Sequence, residues 1–343
     1  ISGDLGTMAN RGSVTIYKRQ EDPMRRWRRA QTIYSPNPGT EFGEQLAWVK
    51  DILVIGDPQD LNNDFYIVRP IDGAVDLWGP PEAVSNTVPY FALGAAMASD
   101  GDRVLVGSLD LSSDELLFFE YDSMTRDLAS LPSLTYGQAP MMDNRSFGHT
   151  IALDDNRAVV RVGDDEVLVY HFANGSWDSP QTLPMVDTSV ERNFDIDGDL
   201  IAINALDGFD REVRVYKRDP LDDEWEYTAT IQNPDIGDTG FAAHLKVIDK
   251  SIIISAPNGD GIIYIYEPED DTYTSWTSVK KIDSPAPFET LFGVKFDAQK
   301  GEVAVGAPVS NAYEDQSGTA HVYRYGIDCA AGQCGGGHVC DTS

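Results

Sequence analysis

The chain has 343 residues, 41% of them hydrophobic, and carries 56 acidic side chains against 26 Lys and Arg, for a formal net charge of −30. That apolar content supports a real core, while the charge excludes nucleic acid, whose phosphates are bound by a basic stripe that releases counterions. It equally disfavours anionic membranes, and no run approaches the roughly 18 consecutive apolar residues of a membrane-spanning helix, so no membrane insertion is expected.

In chain order, SVTIYKR (13–19) reads as an alternating strand and PMRRWRRAQTI (23–33) as its outer neighbour. Here Arg25, Arg26, Arg28 and Arg29 surround Trp27, against the sign of the whole chain. Charges on an exposed edge prevent pairing with another chain. The same cluster could equally dock an acidic partner, a second copy of this chain included, with Trp27 and an arginine as anchors.

From residue 42 a template begins. FGEQLAWVKDILVIGDP at 42 recurs as FALGAAMASDGDRVLVGS at 91, FGHTIALDDNRAVVRVG at 147, VERNFDIDGDLIAINA at 190, FAAHLKVIDKSIIISAP at 241 and FGVKFDAQKGEVAVGAP at 292. The anchors Phe42, Phe91, Phe147, Val190, Phe241 and Phe292 are 49, 56, 43, 51 and 51 residues apart, a repeat of propeller-blade or solenoid size. After each anchor come alternating apolar residues (Leu46 and Trp48, Ile151 and Leu153, Leu245 and Val247), a tight polar turn, and an apolar run suited to a strand buried on both faces. An alternating third strand follows, of the type of EVRVYKR or IIYIYEP, and then a weaker fourth that often carries Trp, as in WDSPQTL, WEYTATI and WTSVKKI. Helical periodicity is absent. Units of four antiparallel strands that cannot bury their own faces predict an all-β, seven-bladed β-propeller over residues 1–326, the seventh third strand being TAHVYRY. Ile1 to Asp4 align with Val-Gly-Ala-Pro of the last unit, so the first strand of the first blade is expected to precede Ile1.

Phe-Gly, then Gly-Ala-Pro about fourteen residues on, then Gly-x-x-x-Val-Tyr resembles the FG-GAP repeat, the blade unit of integrin α-subunit headpieces and of many secreted propellers. The residues that carry the resemblance are Phe292, Gly293, Gly306, Ala307, Pro308, Gly318 and Tyr323, then Phe42, Gly43, Gly56 and Pro58, with Asp57 in place of Ala. The resemblance implies a propeller, a location outside the cell or on its surface, and functions that range from adhesion to association with polysaccharide. It also brings calcium into consideration, since integrin-type blades hold it in acidic loops between the first and second strands. The corresponding turns here, LDDNR, VIDKS and DAQKGE, are too short for such a loop. The nearest candidate, FDIDGDLIA with Asp195, Asp197 and Asp199, is expected to be a β-hairpin closed at Asp-Gly, so no metal and no cofactor are assigned. The acidic stretches DPQDLNNDF (57–65) and EPEDDTY (267–273) could hold an ion, with solvated loops the expected outcome.

No catalytic constellation is visible. His149, His171, His244, His321 and His338 are scattered, and neither a His-Glu-x-x-His nor a Gly-x-Ser-x-Gly motif occurs. His149 and His244 fall on first strands, which line the channel of a propeller, and are expected to be structural. Asn144-Arg-Ser and Asn174-Gly-Ser are sequons, open to glycosylation in a secreting eukaryote. Residues 327–343 contain all three cysteines, Cys329, Cys334 and Cys340, in a Gly-rich stretch. This reads as the start of a disulfide-bearing, EGF-like module with a partner cysteine beyond Ser343. Zinc on these three and His338 fits less well, because the spacing lacks paired C-x-x-C knuckles.

The expected function is that of an extracellular, non-catalytic binding, adhesion or assembly module. Its protein or glycan partner would meet the variable loops 57–64, 84–90 and 310–316, and self-assembly is a further option. The alternatives are a carbohydrate-active enzyme with its site at the channel mouth and a subunit of an extracellular fibre or surface layer.

Overall fold

The structure is a computed structural model that describes residues 2–4, 12–20, 27–37, 40–60, 64–74, 76–84, 92–108, 115–136, 147–163, 166–183, 193–207, 210–235, 240–259, 261–285, 289–310 and 318–325. Among them there is no helix, hence none long and apolar enough to cross a membrane. The strands form a β-propeller fold of successive antiparallel blades.

Blade 1 comprises Leu46–Val49, Ile52–Ile55, Phe65–Val68 and Glu82–Val84. Blade 2 comprises Leu93–Asp100, Arg103–Ser108, Glu115–Asp122 and Asp127–Thr135. In blade 3, Phe147–Asp154, Arg157–Val162 and Glu166–Ala173 are followed by two short outer segments, Ser176–Trp177 and Gln181–Leu183. Blade 4 runs through Phe194–Asp197, Leu200–Asp207, Asp210–Arg218 and Trp225–Gln232, and blade 5 through Leu245–Ile248, Ser251–Ala256, Ile262–Pro268 and Trp276–Asp283. Blade 6 has Phe296–Gln299, Glu302–Ala307 and Thr319–Arg324.

Among the described residues the strands make six blades, not the seven expected from the repeats. Ser2–Asp4, Ser13–Arg19 and Trp27–Tyr34 form a three-stranded sheet that precedes the first anchor, Phe42, and has no anchor of its own. A third-strand motif at each end of the chain therefore overcounts the blades, whereas the anchors number them correctly.

The chain groups into two compact units, 1–182 and 183–343, the first holding the N-terminal sheet and blades 1–3, the second blades 4–6. Within each unit the anchors fill the space between consecutive sheets. Phe42 packs with Val14 and Ile33 of the N-terminal sheet and with Leu53 and Ile55 of blade 1. Phe147 lies with Leu116 and Phe118 of blade 2 and Val160 of blade 3, Phe241 with Val213 of blade 4 and Ile252 of blade 5, and Phe292 with Ile263 of blade 5 and Val303 of blade 6. Phe91 and Val190 lie outside the described residues.

The glycine after the anchor has a positive φ, 94° at Gly43 and 87° at Gly293, which a side chain would strain. This turn lets the Gly293 N–H donate to the Gly306 carbonyl at 2.9 Å, while Gly306 N–H donates to Lys295 at 3.0 Å, and Gly43, Gly56 and Gln45 repeat the pattern. The Phe-Gly and Gly-Ala-Pro ends of the template are thus hydrogen-bonded partners. Carboxylates tie neighbouring inner strands in the same way: Asp195 of blade 4 accepts from the Val247 N–H of blade 5 at 2.8 Å.

Candidate functional site

A cleft of about 510 Å³ opens between the outer strand of blade 2 and the outer half of blade 3, within the first unit. Its cause is local. The fourth strand is continuous in blades 4 and 5, but in blade 3 it is broken by Asp178-Ser179-Pro180. Proline has no N–H for the ladder, so the strand divides into two segments, both paired with Glu166–Ala173.

Period-two alternation then sends Glu166, Leu168 and Tyr170 of the third strand to the cleft side. Trp177 closes one wall, held by Phe118 and Phe172 at ring distances of 4.9 and 5.1 Å and by its Nε1–H donating to the Pro132 carbonyl at 3.2 Å. The Tyr136 hydroxyl donates to Glu166 Oε2 at 3.2 Å. Tyr170 is only 2% exposed, and its buried hydroxyl makes no hydrogen bond among the described residues. Burial, followed by the nearby Tyr136 and Glu166, raises its pKa, so the phenol stays protonated and able to donate. Asp178 stands at the rim, 3.8 Å from His171 Nδ1, and Ser133, Thr135, Ser179 and Thr182 add hydroxyls. The lining bears carboxylates, hydroxyls and aromatic rings and, among the described residues, contains no Lys, Arg or His. Such a surface can stack on and hydrogen-bond a polyhydroxylated ligand. Sequence reasoning passed over these residues, although the break was written in WDSP and the inward face in the alternation of Glu-x-Leu-x-Tyr.

The residues expected to act from the sequence are dispersed. On the edge strand of the N-terminal sheet, Trp27 is 45% exposed and Arg29 is exposed, whereas Arg28 donates to Asp76 Oδ2 at 2.7 Å and Lys18 pairs with the other oxygen of the same carboxylate. Part of the basic cluster is thereby neutralised internally. Arg25, Arg26, Asn144, Cys329, Cys334 and Cys340 lie outside the described residues, as does most of the loops 84–90 and 310–316. Asn174 sits at the exposed tip of a tight turn in blade 3, with φ 52°. His149 is exposed; His244 is packed edge-on to Phe296 at 4.7 Å, and burial first, then Lys295 and Lys246, push its pKa down to about 3.

Asp195, Asp197 and Asp199 form the expected hairpin and diverge. Asp195 caps blade 5, Asp197 accepts from the Asp249 N–H at 2.6 Å, and Asp199 accepts from Arg218 Nε at 2.9 Å. The loop after blade 1's second strand is not solvated as expected: Asp57, Asp60 and Asp64 are 0%, 4% and 6% exposed. Asp60 accepts from the Tyr66 hydroxyl and from Asn37 Nδ2 at 3.1 Å. Among the described residues neither oxygen of Asp57 accepts a hydrogen bond of normal geometry, and burial, aided by the charges of Asp60 and Glu41, raises its pKa to about 7 despite the nearby Thr40 hydroxyl and Glu41 amide. Among the described residues no group of three or more His, Cys, Asp or Glu side chains converges in metal-ligating geometry.

No family model matches the sequence, and no curated protein matches it. Solved structures do. A functionally unknown protein from Desulfotomaculum acetoxidans is 12% identical, covering 92% of this chain and 89% of its own, with a TM-score of 0.56. A Lactobacillus plantarum protein is 15% identical over 92% and 91%, with a TM-score of 0.56. A Bacteroides fragilis protein, described as a candidate 6-phosphogluconolactonase, is 14% identical over 79% and 78%, with a TM-score of 0.54. At such identities the likeness is one of fold alone, and the fold held in common is the β-propeller.

Proposed function

We propose that the chain is a non-catalytic, extracellular recognition module of the FG-GAP type, which binds a polyhydroxylated ligand in the cleft between blades 2 and 3. The observation that carries the reading is the cleft itself, with Trp177 on one wall, Tyr170 buried behind it, and two carboxylates and several hydroxyls around them. Its volume falls in the range of small-ligand sites. The FG-GAP kinship is supported by the hydrogen bond between the Phe-Gly and Gly-Ala-Pro glycines, and the location by the sequon at the exposed Asn174 and the cysteine-rich tail.

A second reading has one observation in its favour. Glu166 lines the cleft with one oxygen held by Tyr136, as a carbohydrate-active enzyme would position a general acid or base. A panel of immobilised oligosaccharides discriminates the two. The recognition module retains a ligand without shortening it and loses retention in Trp177→Ala; release of new reducing ends, abolished by Glu166→Gln, identifies the enzyme instead. Absence of any retention or cleavage refutes both.

A further inference from the structure

Resting on that recognition reading, we infer that the ligand of the cleft is an amine-bearing oligosaccharide, with an ammonium held by Glu166 and a sugar ring laid against Trp177. Among the described residues the lining supplies two carboxylates and no cationic side chain, in a chain whose net charge is −30. Field lines in a cleft walled by protein concentrate the charge of its lining, so a phosphorylated, sulfated or uronate sugar is repelled and a cation drawn in. One oxygen of Glu166 is engaged by Tyr136, which fixes the carboxylate in place and, among the described residues, leaves its second oxygen for the ligand.

The hydroxyls favour a sugar over a lysine-rich peptide. Ser133, Thr135, Ser179 and Thr182 offer donors and acceptors around the opening, and the Tyr170 hydroxyl, buried and without a hydrogen bond among the described residues, is a donor facing desolvation unless a ligand oxygen or a water reaches it. The flat indole of Trp177 suits the apolar face of a pyranose ring.

The test is calorimetric titration of the full chain at pH 6, where the amine is charged, with a glucosamine oligomer, its N-acetylated counterpart, a glucuronate oligomer and an oligolysine peptide. The expected order places glucosamine at least about tenfold tighter than the N-acetylated form, with no glucuronate binding and a marked weakening at high salt. Glu166→Gln, which keeps a partner for Tyr136, lowers glucosamine affinity toward that of the N-acetylated oligomer, and Trp177→Phe, which keeps the aromatic packing, weakens both. Equal binding of the amine and N-acetyl forms overturns the inference and leaves the recognition reading standing. Preferential binding of oligolysine overturns the inference as well. If no saccharide binds, both fall.

Discussion

Asp57 shows what one substitution does to a template. It occupies the place that Ala256 and Ala307 fill in blades 5 and 6, where those alanines are fully buried, so the carboxylate inherits a site built for a methyl group. The substitution was legible in Gly-Asp-Pro; its burial was not, because an acidic loop of Asp, Asn and Gln reads as solvated until the neighbouring sheet is placed. The sign of the consequence is fixed by the direction of the shift. With its folded pKa raised to about 7, Asp57 binds a proton that the unfolded chain has released, so it costs nothing at pH values below the unfolded carboxylate range. The cost grows as pH rises toward 7, reaching roughly 4 kcal/mol, and is constant above. Thermal melts of the wild type are therefore expected to fall from pH 4.5 to pH 7.5, and Asp57→Ala to raise Tm at pH 7.5 while flattening that slope. An unchanged slope in the variant would show that Asp57 is not the group responsible.

At the level of elements, the anchors carry the load that the repeat pattern assigned to them. Phe292 is fully buried between Ile263 and Val303, and its replacement by Ala leaves a cavity between two sheets. A loss of about 3–5 kcal/mol is expected from denaturant unfolding, and a loss under about 1 kcal/mol would remove the anchor from the core account. The six anchors were readable because each precedes the same alternation; the blade number was misread from the third strands, since a Val-Tyr strand such as SVTIYKR looks alike whether or not an inner strand accompanies it. In sequence, the broken outer strand of blade 3 looks like an ordinary fourth strand. Its Pro180 signalled an interruption, but only tertiary packing tells whether an interruption closes over or opens a cleft.

Over the whole molecule the dominant electrostatic fact is an excess of 30 negative charges. Surface pairs such as Arg126–Asp51 at 2.6 Å and Arg69–Asp127 at 2.9 Å are half-exposed and individually weak, so added salt takes little stability away by screening them. It removes more by relieving the repulsion among carboxylates. Raising NaCl from 10 to 300 mM is expected to raise Tm by a few degrees; a fall would mean that ion pairs outweigh net charge. The cleft has a different consequence at this scale. Its walls come from two successive repeats, Pro132 to Tyr136 from one and Glu166 to Thr182 from the next, so neither repeat owns it. A gene that gains or loses a single blade at that junction destroys the site while leaving the described anchors satisfied, whereas exchanging the two repeats as a block transplants it. Specificity in such a chain is thus inherited by adjacency, and recombination within the array is a route by which binding could change while the cores stay as they are.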